Sequence, residues 1–279
     1  MSTIIGPIQK LISIYANPVE YFLPLGLKQL ALNALIGKEI KLSYLNKIEC
    51  IACHKSISKS YQQGYCFLCS QKLAQCDWCI IKPERCHYHL GSCREPEWGL
   101  THCMIPHIVY LANTSGLKIG ITRQNQVPTR WIDQGAIQAL PIFKVASRRI
   151  SGLVEIALAQ FIADKTHWQK MLKNQTTLLN LQEEFNDLKP SISEALKPVY
   201  NQFGSDAILA LAEPEHEARQ YAISYPVLTY PEKIKALSFD KQAVISGKLC
   251  GIKGQYLILD TGVLNIRKFT GYHIEAGGI

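Results

Sequence analysis

Apolar and polar positions change period several times along the chain, and each change marks an element. "HIVYLAN", "TSG" and "LKIGIT", from His107 to Thr122, are two apolar runs around a Gly-bearing turn, which predicts a β-hairpin. Pro128 then stands at a helix start, and "TRWIDQG" continues to Gly135 with Arg130 and Gln134 one turn apart on the same face. "ALPIFKVASRRI" reads as a third strand. After it, "SGLVEIALAQFIADKTHWQKML" carries Val154, Leu158, Phe161, Ile162 and Leu172 on a helical stripe, with Ser151 as N-cap. Strand, strand, helix, strand, helix is a compact α+β unit, placed at 105–175.

The flanks read differently. Residues 1–49 are apolar in patches and predict a helical segment followed by a lead-in strand. Residues 176–235 predict a helical connector with a break at Pro190, then an acidic, proline-punctuated linker. Residues 236–279 alternate apolar and polar around Gly251, Gly254 and Gly262, which predicts a small antiparallel β-module with Cys250 as a core residue. The fold class is therefore α+β, with a Cys-rich region at 50–104 ahead of the central unit.

Lys10, Pro18, Glu20, Pro24 and Lys28 interrupt the opening long before the roughly 20 apolar residues that span a bilayer. With no basic n-region, continuous h-region or cleavage site, a cytoplasmic protein without disulfides and without a membrane partner is expected.

That expectation leaves ten cysteines to explain, nine of them between Cys50 and Cys103. "CIACHKSISKSYQQGYCFLC" sets Cys50 and Cys53 on one C-x2-C knuckle and Cys66 and Cys69 on another, the spacing of a zinc ribbon. Each knuckle brings two thiolates to one tetrahedral ion. The following "CDWCIIKPERCHYHLGSCREPEWGLTHC" fits no standard knuckle. It predicts a second zinc on Cys79, Cys86, Cys93 and Cys103, with Cys76 or a histidine as the substitute ligand and an iron–sulfur cluster as the rival. Four protein ligands close such a site, so its contribution is to folding. His54, His102 and His107 are expected at the surface or behind the ligands.

Composition adds only a modest bias. The chain has 279 residues, 47% of them hydrophobic, and 30 Lys and Arg stand against 22 Asp and Glu. The excess suits a polyanion or plain solubility. Between Gly99 and Val154, however, six basic residues (Lys118, Arg123, Arg130, Lys144, Arg148 and Arg149) face one acid, Asp133. Arg123, Lys144, Arg148 and Arg149 are the candidate nucleic-acid contacts. Tyr110, Trp131 and Phe143 among them are expected in the core before they are expected to stack bases. No phosphate-binding loop or dinucleotide fingerprint occurs.

Glu155 is the one acid amid apolar residues in "GLVEIAL". It is a metal ligand, a partner of Arg130, Arg148 or Arg149, or a carboxylate set favourably near a helix N-terminus.

Tyr110, the strand "LKIGIT", Arg130 and Glu155, in this order, resemble the core of the GIY-YIG nucleases. The stretch from "LNALIGKEI" through the cysteines, "CREPEWG", "KIGIT" and "PTRWIDQGA" is similar, over nearly the full chain, to an uncharacterised bacterial family, domain of unknown function 2797. The nuclease resemblance implies phosphodiester hydrolysis on DNA or RNA. Tyr110 would act on the attacking water, Arg130 on the phosphoryl charge, and Glu155 as ligand of one Mg²⁺ or Mn²⁺. Lys118 stands where the second family tyrosine belongs, and Asn174 is the nearest counterpart of the family's terminal asparagine. Three functions follow: a nuclease, a zinc-stapled nucleic-acid-binding module without turnover, or a protein-interaction scaffold with Arg130 and Glu155 as an ion pair.

Overall fold

The computed structural model describes residues 3–212 and 220–277; part of the acidic linker expectation, 213–219, lies outside the described residues. The chain opens with β1 (Ile4–Pro7), β2 (Ile12–Ile14), β3 (Glu20–Leu25), β4 (Lys28–Ala31), β5 (Glu39–Glu49) and β6 (Ser56–Ile57). The Cys-rich region holds α1 (Phe67–Lys72) and α2 (Pro96–His102). The central unit runs β7 (His107–Asn113), β8 (Leu117–Arg123), α3 (Thr129–Asp133), β9 (Gln138–Val145), α4 (Arg148–Leu158) and α5 (Trp168–Leu172). α6 (Leu181–Phe203), β10 (Ile208–Ala210) and β11 (Tyr221–Ala222) follow, then β12 (Val244–Lys253), β13 (Tyr256–Leu259), β14 (Gly262–Asn265) and β15 (Tyr272–Gly277).

The strand pairs are antiparallel. One sheet has the order β1-β15-β5-β12-β13-β14 with β6 on β5, so strands from both ends of the chain complete it. A second has the order β10-β9-β7-β8 with β11 on β9, and a third is β2-β3-β4. The centre, β7, is buried along its whole length. Its alternation decides which layer each side chain joins: Ile108, Tyr110 and Ala112 pack into a core shared with the first sheet. Val109 and Leu111 pack on the other face, under α4 and α6.

Three helical expectations change. Residues 1–49 contain no α-helix among the described residues; β3 buries Tyr21, Leu23 and Leu25 at a strand period, and Pro7, Pro18 and Pro24 deny a helix its hydrogen bonds. α4 begins at Arg148 with Ser147, not Ser151, at its cap; Ser151 lies inside, its Oγ donating to the Arg148 carbonyl at 2.7 Å. The helix also stops at Leu158, because the chain beyond it turns to β8, where the Ile119 N–H donates to the Ala163 carbonyl at 2.8 Å. α6 runs through Pro190 without a break. Pro190 and Pro198 both face solvent, where water satisfies the carbonyls that they free, while Leu181, Phe185, Ile192 and Leu196 hold the other face. No helix among the described residues is long and apolar enough to cross a membrane.

Candidate functional site

The first knuckle pair closes as its spacing requires. Cys50 directly follows β5, β6 folds back on that strand, and Cys66 caps α1, so the thiols of Cys50, Cys53, Cys66 and Cys69 all lie within 4.8 Å of one another. The Cys53 and Cys66 sulfurs are 3.8 Å apart, close to the edge of a tetrahedron with metal–sulfur bonds of ~2.3 Å. Backbone amides point at the sulfurs: Cys66 N–H donates to Cys50 Sγ at 3.2 Å, and Cys69 N–H donates to Cys66 Sγ at 3.3 Å. Burial pushes the Cys50 thiol up, but the N–H donors of Cys53, Cys66 and Ala52 outweigh it and leave the pKa lowered. This donor set fits a structural metal ion such as zinc.

Cys79, Cys86 and Cys103 form a second buried cluster against Tyr88 and Trp98. Cys93 and His87 line the same small cavity. Cys76 does not; it is buried towards Tyr65 and Cys50, and its carbonyl accepts from Gln62 Nε2 at 3.0 Å. Asp77, Cys79 and His87 also bring ligand atoms within 4.8 Å of one another, yet Asp77 is paired to Arg94 at 2.7 Å. Of the other histidines, His54 bonds Glu49 at 3.0 Å, His102 stacks on Trp98, and His107 is buried with Nδ1 bonded to the Ile105 carbonyl at 2.8 Å.

This Cys-rich region is fastened to α4. Arg148 donates from Nε to the Cys79 carbonyl at 3.1 Å and from Nη2 to the Ile80 carbonyl at 2.6 Å, and its own N–H donates to the Cys103 carbonyl at 2.8 Å. Gly152, one turn later, lets the helix touch the turn at Pro83–Arg85: a Cβ there would lie 2.3 Å from the Glu84 nitrogen. Gly152→Ala is expected to lower stability by ~1–3 kcal/mol, as overpacking does, and to lower Tm in calorimetry. An unchanged Tm would mean that the turn yields freely.

The central unit forms one wall of a cleft of about 650 Å³, lined by Lys118 from β8, Arg130 and Gln134 from α3, and Glu155 from α4. Asp164, from the exposed loop beyond α4, lines it too and was not singled out from the sequence. No spacing signal marks Asp164, because the end of α4 alone brings it to Glu155. Burial pushes the Glu155 carboxyl up to about 7 in spite of the nearby Lys118, with Asp164 adding to the rise. Burial likewise pushes Lys118 down to about 8, with Arg130 in the same direction. The Lys118 ammonium donates to Thr166 Oγ1 at 3.4 Å.

Tyr110 sits behind this wall, not in it. It is fully buried, edge-on to Trp131, and its hydroxyl donates to Gln134 Oε1 at 2.8 Å. Burial pushes its phenol up to about 12. Its ring lies over Gly120, its cross-strand partner on β8, where a Cβ would come 2.7 Å from the hydroxyl. Gly120→Ala is therefore expected to cost ~1–3 kcal/mol, read as a lower midpoint of urea unfolding at unchanged slope. No shift would show that the ring can turn aside.

Of the four basic candidates, Arg123 and Arg148 line the cleft and the other two do not. Arg149 lies over the Phe203 ring at 5.4 Å, on the α6 side, and Lys144 sits on β9 between Ile108 and Leu209, separated by β7 from β8, the strand that lines the cleft. Lys10 and Arg267, from opposite ends of the chain, replace them in the lining. Trp131 and Phe143 are buried, with Phe143 edge-on to Phe185, and so are closed to base stacking. Asn174 accepts from Lys253 Nζ at 2.8 Å and lies outside the cleft lining.

Residues 37–274 match the family model described as protein of unknown function DUF2797. No curated protein and no solved structure gave a match.

Proposed function

The chain belongs to the DUF2797 family, and from the chemistry of its cleft we propose a zinc-containing nuclease with a GIY-YIG-like core that hydrolyses phosphodiesters of DNA or RNA. The observation that carries this reading is the convergence of Lys118, Arg130, Glu155 and Asp164 in one cleft. Cations alone would argue for binding. A partly buried carboxylate held among them, its pKa raised to about 7, argues for chemistry as well.

In this reading Arg130 meets the charge that develops on the phosphate oxygens, and Lys118, still cationic at neutral pH with a pKa of about 8, adds a second positive charge. Glu155 is the side chain that would hold Mg²⁺ or Mn²⁺, with Asp164 beside it. The ion, when bound, polarises the phosphate and acidifies water. Tyr110 is a positioning residue: by donating to Gln134 Oε1 it orients an amide that faces the cleft. Zinc would be held by Cys50, Cys53, Cys66 and Cys69, and a second ion by Cys79, Cys86, Cys93 and Cys103.

The test is cleavage of labelled single-stranded DNA, duplex DNA and structured RNA with Mg²⁺ or Mn²⁺. Cutting of at least one substrate that requires the divalent ion is expected. The burial of Tyr110 favours one second reading, a zinc-stapled binding module without turnover, since among the described residues no tyrosine lines the cleft. Salt-sensitive binding of all substrates with no cutting would replace the nuclease reading by that one.

A further inference from the structure

The cleft does not end at Arg130. Lys10, Ile80, Ile81 and Arg267 line it and also line a second trough of about 550 Å³, which runs to Ile51 beside Cys50. The two therefore adjoin at these four side chains, along a line that leads from Glu155 towards the first cysteine cluster. Its chemistry changes along the way. Near Glu155 it is cationic; beyond Lys10 and Arg267 it is lined by Gln9, Gln62, Gln63 and Gln75 and, among the described residues, by no carboxylate.

Arg267 is the informative residue at the join. Its side chain is half-buried, yet among the described residues no carboxylate lies within ion-pair distance of it and no hydrogen bond from its guanidinium is recorded. Burial lowers its pKa, the like charge of Arg130 lowers it further, and the charge of Asp133 offsets part of that. Two guanidinium groups facing one partly dehydrated space repel each other unless an anion lies between or alongside them. Arg123, whose pKa is lowered by burial and by the charge of Arg148, extends the same unpaired field along the wall. Asp133, whose charge also reaches Arg267, is itself paired to Lys10 at 3.0 Å, so among the described residues Arg267 has no ion-pair partner of its own.

The trough beyond asks for a different group. Side-chain amides carry a donor and an acceptor together, the pattern that reads an unpaired base edge, and the exposed Ile81 offers an apolar face on the rim. A duplex hides its pairing edges, and each compartment has the size of a site for one small molecule, which admits a strand but not a double helix. We propose that this path holds a single polynucleotide strand, one phosphate at Arg130 beside Glu155, a neighbouring phosphate at Arg267, and the following bases among the glutamines towards the Cys50–Cys69 cluster. The inference rests on the reading of the cleft as a nucleic-acid site and adds to it the form of the substrate and its direction of exit.

The experiment is fluorescence anisotropy of labelled single strands, DNA and RNA, and of the matching duplex, with the full chain in Ca²⁺ and a salt series. Single strands are expected to bind at least ~10-fold more tightly than the duplex. Arg267→Gln is expected to weaken single-strand binding by ~10-fold and to flatten the dependence on log salt by about one phosphate contact. Gln63→Glu, at an exposed position, is expected to weaken it through repulsion. Arg149→Gln, outside the path, is the control and should bind like the wild type. Equal affinity for duplex, or wild-type binding and salt slope in both Arg267→Gln and Gln63→Glu, would overturn the proposal. Binding is read without cleavage, so the two readings fail separately. Absent cutting with Arg267-dependent strand binding removes only the nuclease, and cutting with no effect of either Arg267→Gln or Gln63→Glu on binding removes only the strand path.

Discussion

Cys69→Ser is expected to release one metal ion per chain and to unfold the ribbon around it while the central sheet stays folded. Residues 50–72 bury almost nothing apolar: Phe67 and Leu68 are 56% and 63% exposed, and the buried positions are Cys50, Gly64 and Ser70. Without a hydrophobic core, the free energy that holds this segment would come from metal–thiolate bonds and the amide donors around them. Serine offers no thiolate. Zinc affinity should fall by more than the ~10–100-fold that loss of an outer partner costs. Elemental analysis and hydrogen exchange check this: zinc should drop by one equivalent, and protection should vanish in 50–72 but persist in β7. Full zinc content, or unchanged protection of the ribbon, would refute it. Chelation should mimic the variant, and it should also report whether Cys79, Cys86, Cys93 and Cys103 hold a second ion, as two equivalents leaving the wild type.

Glu155→Gln is expected to lower metal-dependent cleavage by at least ~10²–10³-fold and, at the same time, to make the apoprotein more stable at pH 8. Both effects come from the same carboxyl. Burial raises its pKa from 4.5 to about 7, so in the folded chain it stays protonated over a range where the unfolded chain has already ionised. The unfolded state then binds fewer protons than the folded state between about pH 4.5 and 7, and stability falls as pH rises through that window. A neutral glutamine has no such loss, and the variant should gain up to ~2–3 kcal/mol over the wild type above it. Cleavage runs the opposite way. Only the ionised carboxylate holds a divalent ion, so wild-type activity at low metal should climb through about pH 7 and then level off. Thermal unfolding at pH 5 and pH 8 without divalent ions, beside cleavage profiles, reads both. A variant that cuts like the wild type would remove Glu155 from the metal site; one that neither cuts nor gains stability at pH 8 would show that Glu155 is ionised and paired in the apoprotein.

Arrangements that depend on near neighbours were legible before the fold was known. The order β7, β8, α3, β9, α4 followed from apolar period, the Gly-bearing turn and Pro128, all within local range. The Cys50, Cys53, Cys66 and Cys69 cluster followed from C-x2-C spacing, since two residues between thiols leave few ways to turn. Errors arose where local pattern met a tertiary partner. The first 49 residues read as partly helical because their apolar patches lack a clean alternation; they form strands because β5 has β12 and β15 to pair with, some two hundred residues away. α6 crosses Pro190 because packing on Phe143 and its neighbours outweighs one missing hydrogen bond.

By itself the sequence determined the chemistry at hand: one set of four thiols in two paired knuckles, an arginine on a proline-started helix, and one glutamate in an apolar helix. Those choices are covalent, and their short spacings limit where each group can go. Only the tertiary structure decided which groups share a space. It kept Lys144 and Arg149 out of the cleft through the place of β9 beyond β7 and the direction of α4, brought Lys10 and Arg267 in from the two ends of the chain, and drew Tyr110 behind the wall onto Gln134. The reason is physical: burial on a two-faced sheet assigns every residue to a face by its register, and register is set by strands that pair across long stretches of chain.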